Sequence, residues 1–373
     1  MTDNTSALEY SPDFSVIAEG KDITRALQQS LTELTLTDNG GATAKSDELK
    51  ITLLSETLKL PSKGARLRLA LGFNGQLVDK GWFVVCSVSS SGPPRKIDIY
   101  ATAAPMNAEK QQGDVLAHKN RSWDGVTLGE IVKTVATDNG LLPRVAASLM
   151  DIQIPHLDQV AESDANLMTR LAHTYSAVSK PAGGYWLFLE QGAAVNASGK
   201  SAATITITPE ELSTWSYSEG SRGNSTGKTT AGSKKNSGKI GVNYYNEQDG
   251  RTNVSTVEHD GPTMLMPWTQ PGKAQADHHA QSRKTQANRN ERKMTIAGPC
   301  RPKHVPLTAE CQVKTSGFGE REDGQWLTES LVYTLGPSGF SFTWNLVVNI
   351  KAKQAKSKSQ KSGSDKTGPN YYG

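Results

Sequence analysis

The sequence predicts a mainly β protein with an α+β insert in its middle. Both ends of the 373-residue chain carry runs in which apolar and polar residues alternate, the pattern of a half-buried strand. Turn signals such as Asp38-Asn39-Gly40-Gly41 and Asn74-Gly75 separate these runs. The only two strongly periodic helical segments lie between the β-rich ends, within residues 122–175. Because domains are typically about 150 residues long, a chain of this length is expected to form two or three domains.

The first β-rich region, at residues 14–103, indicates an antiparallel barrel or sandwich. Leu67, Leu69 and Leu71 line one face of a strand whose other face carries Arg66 and Arg68. About six strands at this spacing are typical of barrels and sandwiches. The strands are predicted at 14–18, 31–37, 49–53, 67–71, 82–88 and 96–103.

The middle of the chain is predicted to hold two short amphipathic helices. The first opens at Thr127 with Glu130 three residues later, a capping box that satisfies two amides of the helix start. Asn139-Gly140 ends this helix as a left-handed C-cap requires. The second helix opens at Ser163, and residues 145–157 join the two. Because such short helices need a neighbour to cover their apolar faces, an α+β module is expected here.

A second β-rich region is predicted at residues 240–350. Residues 273–292 form a polar helix candidate that offers only small apolar contacts such as Ala276 and Ala280. The alternating segments around it are 240–245, 252–258, 293–297, 307–313, 326–334 and 340–350. The folded part of the chain therefore ends as it begins, with a β-rich domain.

These patterns divide the chain into five segments. Residues 218–239 and 351–373 are rich in Gly, Ser and Lys and almost free of core residues, so a flexible loop and a disordered basic tail are expected. The predicted segments are a β-rich domain at 1–104, an α+β domain at 105–217, the loop at 218–239, a β-rich domain at 240–350 and the tail at 351–373.

The net charge of +4 comes from the C-terminal part of the chain. Residues 1–282 hold 26 basic and 30 acidic side chains, whereas residues 283–373 hold 15 and 7. A protein that is acidic over most of its length and basic at its C-terminal part fits docking to another protein at least as well as binding to nucleic acid. The odd count of three cysteines argues against a disulfide framework. We see neither a signal peptide nor an apolar run of membrane-spanning length, so a soluble protein made in the cytoplasm is expected.

The sequence offers few candidate catalytic groups. Ser225 lies in a G-x-S-x-G pattern, but a nucleophile elbow needs a buried strand before it and a helix after it, and neither is predicted. Two acidic pairs, Glu210 with Glu211 and Glu320 with Glu322, lie in turn-like contexts rather than in a common cleft. No catalytic residue is predicted, and the protein is expected not to be an enzyme.

A zinc site is the only metal site that the sequence suggests. Cys300, His304 and Cys311, with His278-His279 upstream, are ligand-type residues. Their spacing is not a common finger or ribbon pattern, and three prolines stiffen residues 299–306. We interpret the segment as a proline-rich connection, and neither a metal nor a cofactor is predicted.

Nine short motifs, in order along residues 14–348, carry a family resemblance. They are EGKDIT (19–24), LTLTDN (34–39), LP (60–61), LALG (69–72), KGWF (80–83), SWDGVTLGE (122–130), DNG (138–140), ESDANL (162–167) and LVYTLG (331–336). Together they resemble the phage late control gene D protein family. Members of that family are baseplate hub proteins of contractile phage tails and tailocins, similar to the upper domains of VgrG spike proteins.

The resemblance implies a ring-shaped homotrimer in which each subunit contributes two tube-like antiparallel β-barrel domains. Six similar barrels would join a threefold central spike to a sixfold tail tube and enclose the tail channel. The implied partners are the tail tube, central spike, tape measure and baseplate wedge proteins. The implied location is the tail baseplate of the virion, after assembly in the cytoplasm of the bacterial host. The face that carries Arg66 and Arg68 is one candidate for a surface turned away from the barrel core.

Two other function classes stay open from the residues alone. A tail-associated cell-wall hydrolase is the main alternative, and it would require an active carboxylate or Ser225. A nucleic-acid-binding factor is the other alternative, and it would require salt-sensitive binding through residues 351–373.

Overall fold

A computed structural model describes residues 10–40, 45–104, 113–192, 204–220, 237–260, 262–309 and 311–349. The chain is mostly β with large antiparallel sheets, which confirms the predicted fold class. The predicted tail at 351–373 and most of the predicted loop at 218–239 lie outside these residues, and residues 218–219 and 237–239 of that loop belong to strands.

The first β-rich region contains the six predicted strands and a further strand of two residues. Asn74 and Gly75 have φ values of 50° and 75°, which confirms the predicted hairpin turn with two left-handed positions. The elements are β1 (Pro12–Ala18), β2 (Lys21–Asp22), α1 (Thr24–Gln28), β3 (Leu31–Asn39), β4 (Glu48–Leu54), β5 (Arg66–Phe73), β6 (Gln76–Ser91) and β7 (Lys96–Thr102).

The middle module contains both predicted helices. A hairpin of residues 184–189 with 204–208 was also predicted, but the strand at 185–190 pairs with residues 177–182 instead. Residues 145–157, predicted to be a connection, instead contain a short helix and the start of a long strand. Strand and helix bounds are β8 (His118–Thr127), α2 (Leu128–Asp138), β9 (Leu142–Val145), α3 (Ala147–Met150), β10 (Gln153–Ser163), α4 (Asp164–Tyr175), β11 (Ala177–Ala182) and β12 (Tyr185–Glu190). The paired strands β8 and β10 escaped prediction because most of their residues are exposed or half-buried, so their apolar alternation is weak.

The predicted helix caps of α2 and α4 are confirmed. The amide of Thr127 donates to Glu130 Oε2 at 2.7 Å, and the amide of Glu130 donates to Thr127 Oγ1 at 3.2 Å. Gly140 follows the helix with φ of 68°. The hydroxyl of Ser163 accepts from the amide of Asn166 at the start of α4. The two helices share a core with Trp186 and Phe188 of β12.

The remaining strands and the longest helix follow the middle module. They are β13 (Thr204–Ile207), a 3-10 helix (Pro209–Glu211), β14 (Thr214–Glu219), β15 (Ser237–Asn246), β16 (Arg251–Asp260), β17 (Met264–Gln270), α5 (Lys273–Asn290), β18 (Arg292–Pro299), β19 (Gln312–Thr315), β20 (Gly324–Gly336) and β21 (Gly339–Val348).

The two β-rich regions are joined edge to edge in one sheet of 13 strands. Strand β3 pairs with β20 in antiparallel register, so that Leu36 lies opposite Tyr333 and Leu34 opposite Leu335. These residues belong to a single hydrophobic cluster that extends from Val16 of β1 to the C-terminal strands. The predicted domain boundaries remain predictions, but the strands of both regions share one core.

Strands β15, β16 and β17 form a separate sheet, although the sequence assigned them to the second β-rich domain. Helix α5 covers one face of this sheet, where Ala276 and Ala280 pack on Ile240 and Val242. The helix can be almost entirely polar because two alanines suffice to bring its backbone close to this small sheet. Helix α5 also contacts α4, which places the three-stranded sheet beside the middle module, and it contacts β18 and β21 of the 13-stranded sheet.

Candidate functional site

The face of the 13-stranded sheet that lies opposite the core is polar. Leu34 and Leu36 are buried, so Thr35 between them points to the other side. The residues that lie opposite Thr35 in the neighbouring strands extend this position into a row across six strands. In order, the row is Ser341, Thr334, Thr35, Lys50, Tyr100 and Ser87. The row offers hydroxyl groups and one ammonium group, and its main apolar surface is the ring of Tyr100, which is 36% exposed.

Arg66 and Arg68 lie on the exposed face of β5, as predicted for a surface turned away from the core. Arg68 Nη2 lies 2.7 Å from Asp79 Oδ2, and this hydrogen bond lowers the pKa of Asp79. The Arg66 guanidinium stacks 4.7 Å from the ring centre of Trp82. Both cations are therefore held in place on the surface rather than extended into solvent.

A buried ammonium group joins the middle module to the 13-stranded sheet. Lys180 Nζ of β11 lies 2.7 Å from Asp38 Oδ1 and 2.9 Å from Asp47 Oδ1. Burial opposes the charge on Lys180, but the two carboxylates outweigh it and raise the pKa of Lys180. Burial and the neighbouring Asp38 raise the pKa of Asp47 to about 7, against the opposing effect of Lys180. Asp38 Oδ2 also accepts from the amide of Ala309, so three parts of the chain meet here.

Several motifs that carry the family resemblance also meet in space. Lys80 of KGWF lies with Nζ 4.6 Å from the ring centre of Tyr333 in LVYTLG. Burial lowers the pKa of Lys80 to about 8. Asn139 of DNG donates to Asp164 of ESDANL at 2.7 Å, and Asp164 is fully buried. The LTLTDN and LVYTLG motifs lie on the paired strands β3 and β20. These motifs therefore form contacts within the 13-stranded sheet and within the middle module.

The residues considered as zinc ligands are engaged in structural contacts. His304 Nδ1 accepts from the amide of Arg301 at 3.1 Å, and burial lowers the pKa of His304 to about 4. Cys311 Sγ lies 3.1 Å from Thr328 Oγ1, and burial raises the pKa of Cys300 to about 12. His278 and His279 lie on α5, where they contact other groups. Across the described ranges, no group of three His, Cys, Asp or Glu side chains is placed to hold a metal ion.

The candidate catalytic residues are not brought together. Ser225 and its G-x-S-x-G pattern lie outside the described residues. Glu211 forms ion pairs with Arg301 and Lys303, and Glu210 lies on the exposed 3-10 helix. Gly319 lies close to the Glu322 carboxylate, and Glu320 is exposed. In the described part of the chain these carboxylates serve as surface and ion-pair groups.

A cleft of about 750 Å³ lies between the middle module and the α5 sheet, the name used here for strands β15, β16 and β17 together with the helix α5 that covers them. One wall is formed by β10 and α4, and the other by the end of β17 and by α5. Burial and the neighbouring Arg283 lower the pKa values of both His173 and His279. This cleft was not predicted from the sequence, in which the His278-His279 pair is its local signal. Trp268, which is 62% exposed, stands at the cleft.

None of the described helices combines the length and apolar character needed to cross a membrane.

The chain matches known phage proteins over most of its length. A family model described as phage tail baseplate hub (GPD) matches residues 115–338. The probable baseplate hub protein of Escherichia phage 186 is 30% identical over 91% of this chain and 94% of that protein. The probable baseplate hub protein of Escherichia phage P2 is 37% identical over 220 residues, which cover 59% of this chain and 56% of that protein.

A solved structure supports the fold independently of sequence identity. The 43 kDa tail protein of prophage MuSo2 from Shewanella oneidensis aligns with a TM-score of 0.63 at 12% identity. The alignment covers 91% of this chain and 99% of that protein. With a family model over residues 115–338 and a relative aligned along almost its whole length, this chain belongs to the phage tail baseplate hub (GPD) family.

Proposed function

We propose that this protein is the structural hub of a contractile tail baseplate, built as a homotrimeric ring around the tail channel. The observation that carries the proposal is the single 13-stranded sheet with one apolar face and one polar face. A sheet that runs through both β-rich regions gives each subunit two similar wall segments. Three subunits then supply six segments, which suits a junction between a threefold spike and a sixfold tube.

The polar row across the sheet is the proposed lining of the channel. DNA or an extended polypeptide that passes through a tail must not adhere to the wall. Hydroxyl groups such as those of Thr35 and Thr334 hydrogen-bond to water and leave little apolar surface on which a passing chain could stick. The buried face of the same strands supplies the rigidity, because its leucine and aromatic side chains are closely packed.

The proposed partners are the tail tube protein, the central spike protein, the tape measure protein and the baseplate wedge proteins. Complementary charge at the rims of the ring would select among them. We propose assembly in the cytoplasm of the bacterial host and a purely structural role in the virion.

The ring is tested by the native mass in solution, measured by light scattering on the protein alone and with its spike protein. A trimer in either condition, followed by images of a ring with an axial channel, supports the proposal. A monomer in both conditions overturns it.

The channel lining is tested separately by the access of maleimides of different size, in a Cys86→Ser background. We expect T35C to react with a small maleimide in the ring but to be protected from a large polyethylene-glycol maleimide. T134C on the exposed side of α2 is the matched control and should react with both reagents. Equal reaction of T35C and T134C with the large reagent in an assembled ring would reject the lining and leave the ring intact.

A further inference from the structure

The cleft between the middle module and the α5 sheet has the features of a binding site. It measures about 750 Å³ and is open to solvent on one side. Its walls come from two parts of the chain that are more than 80 residues apart, so neither part forms the cleft alone. Trp268 exposes 62% of its surface at the cleft, and Tyr175 lies buried in the opposite wall.

The cleft contains a cation that lacks a carboxylate partner in the described part of the chain. Arg283 Nη1 donates to Gln286 Oε1 at 3.3 Å, and Arg283 Nε is buried without a hydrogen-bond acceptor. The other charges of the cleft are balanced. Arg170 is paired with Glu162 at 2.6 Å, and His156 with Asp158 at 3.1 Å. An incoming carboxylate would therefore neutralise a charge that no described carboxylate balances.

The same cleft runs along the end of an open sheet edge. Strand β17 pairs with β15 and forms the edge of its three-stranded sheet. Thr269 and Gln270 of β17 line the cleft together with Trp268. A free strand edge offers backbone hydrogen bonds to an extended segment, while side-chain pockets beside the edge select its residues.

We propose that this cleft binds an extended acidic segment of another tail protein, which adds to the edge of β17 and places a carboxylate on Arg283. Trp268 covers the apolar side of the segment, and His173 and His279 flank the carboxylate. The inference rests on the proposed structural role, because it assigns one of the partner contacts of the hub.

The test uses the full-length protein and synthetic peptides of seven residues, the length of β17. The peptides tile the other tail proteins encoded with this chain. Each is made in its native form and in a form with Asn and Gln in place of Asp and Glu. Fluorescence anisotropy then gives the Kd of each peptide that binds.

We expect at least one native acidic peptide to bind and its neutral form to bind at least about tenfold more weakly, which corresponds to about 1.4 kcal/mol. Arg283→Gln should weaken the native peptide by a similar factor. Trp268→Ala should also weaken it, and because Trp268 is exposed this variant does not threaten the fold. Lys284→Gln, the same charge change at the next position and outside the cleft, is the matched control and should leave Kd within about twofold.

Several outcomes of the peptide experiment would overturn the inference. They are binding of no peptide, equal binding of native and neutral peptides, and an equal effect of Arg283→Gln and Lys284→Gln. Self-association of the full chain that depends on Arg283, without peptide binding, would also overturn it and assign the cleft to a second copy of this protein. Each of these outcomes is compatible with a trimeric ring, so the inference can fail without the proposed function.

Discussion

Lys180 Nζ lies 2.7 Å from Asp38 Oδ1, and this buried ion pair fixes the middle module to the 13-stranded sheet. Lys180→Met removes the ammonium group but leaves Asp38 and Asp47 in a site that excludes water. We expect the free energy of unfolding to fall by about 3–5 kcal/mol, the usual effect of breaking one partner of a buried ion pair. Urea unfolding followed by intrinsic fluorescence measures this change.

Lys133→Met is the matched control for that substitution, because Lys133 is an exposed lysine on α2. Its effect should stay within about 0.5 kcal/mol. Equal effects of the two substitutions would mean that the Lys180 contact does not stabilise the junction.

Asp47 makes the junction sensitive to pH in a defined direction. Its pKa is raised from the ordinary 3.8 to about 7, so between these values the folded state binds a proton that the unfolded state releases. This contribution to stability is complete below about pH 4 and is lost as the pH rises through about 7. Asp47→Asn cannot release that proton. We therefore expect the variant to lose less stability than the wild type between about pH 4 and about pH 7, measured by urea unfolding at each pH.

The capping box of α2 predicts a smaller and local effect. Thr127→Ala removes the oxygen that accepts from the amide of Glu130 at 3.2 Å. We expect a loss of about 0.5–2 kcal/mol, as measured for other N-caps, with a lower Tm in calorimetry. The control is Thr134→Ala, because Thr134 lies in the exposed middle of the same helix. This substitution should be neutral or slightly stabilising, since alanine has a higher helix propensity than threonine. A neutral Thr127→Ala would show that the helix start is held by its packing alone.

Local signals explain which parts of the fold could be predicted from the sequence. Apolar and polar residues alternate along the strands at 31–37 and 340–350 because one face of each strand is fully buried. The helix caps at Thr127 and Ser163 depend on residues only three positions apart, so they can also be recognised in the sequence. The edge pairing of β3 with β20 had no such signal. It depends on strands that lie almost 300 residues apart in the chain.

The candidate sites depend on contacts that no local pattern records. Lys180 lies 142 residues from Asp38 and 133 from Asp47 in the sequence, and no strand was predicted at its own segment. Asp164 is an acidic residue in the first turn of α4, and the structure buries it against Asn139 and Gln159. The cleft was missed for the same reason, because Arg283 and His173 face each other only after two modules have packed.

The histidines of the cleft predict a response to acid that is opposite in sign to that of Asp47. Burial, then Arg283, then the other histidine lower the pKa of His279, and burial and Arg283 do the same for His173. Gln270 Nε2 lies 3.3 Å from His279 Nδ1 and, as an amide donor, favours the neutral ring. A lowered pKa means that the folded state resists protonation, so this contribution is present above pH 6.5 and is lost as the pH falls below it. We expect His279→Gln to lose less stability than the wild type between about pH 7.5 and about pH 5.5, measured by urea unfolding. Arg283→Gln should also reduce the loss, because it removes the cation that repels both protonated rings. Equal losses in the wild type and in His279→Gln would show that His279 does not couple the contact between α4 and α5 to pH.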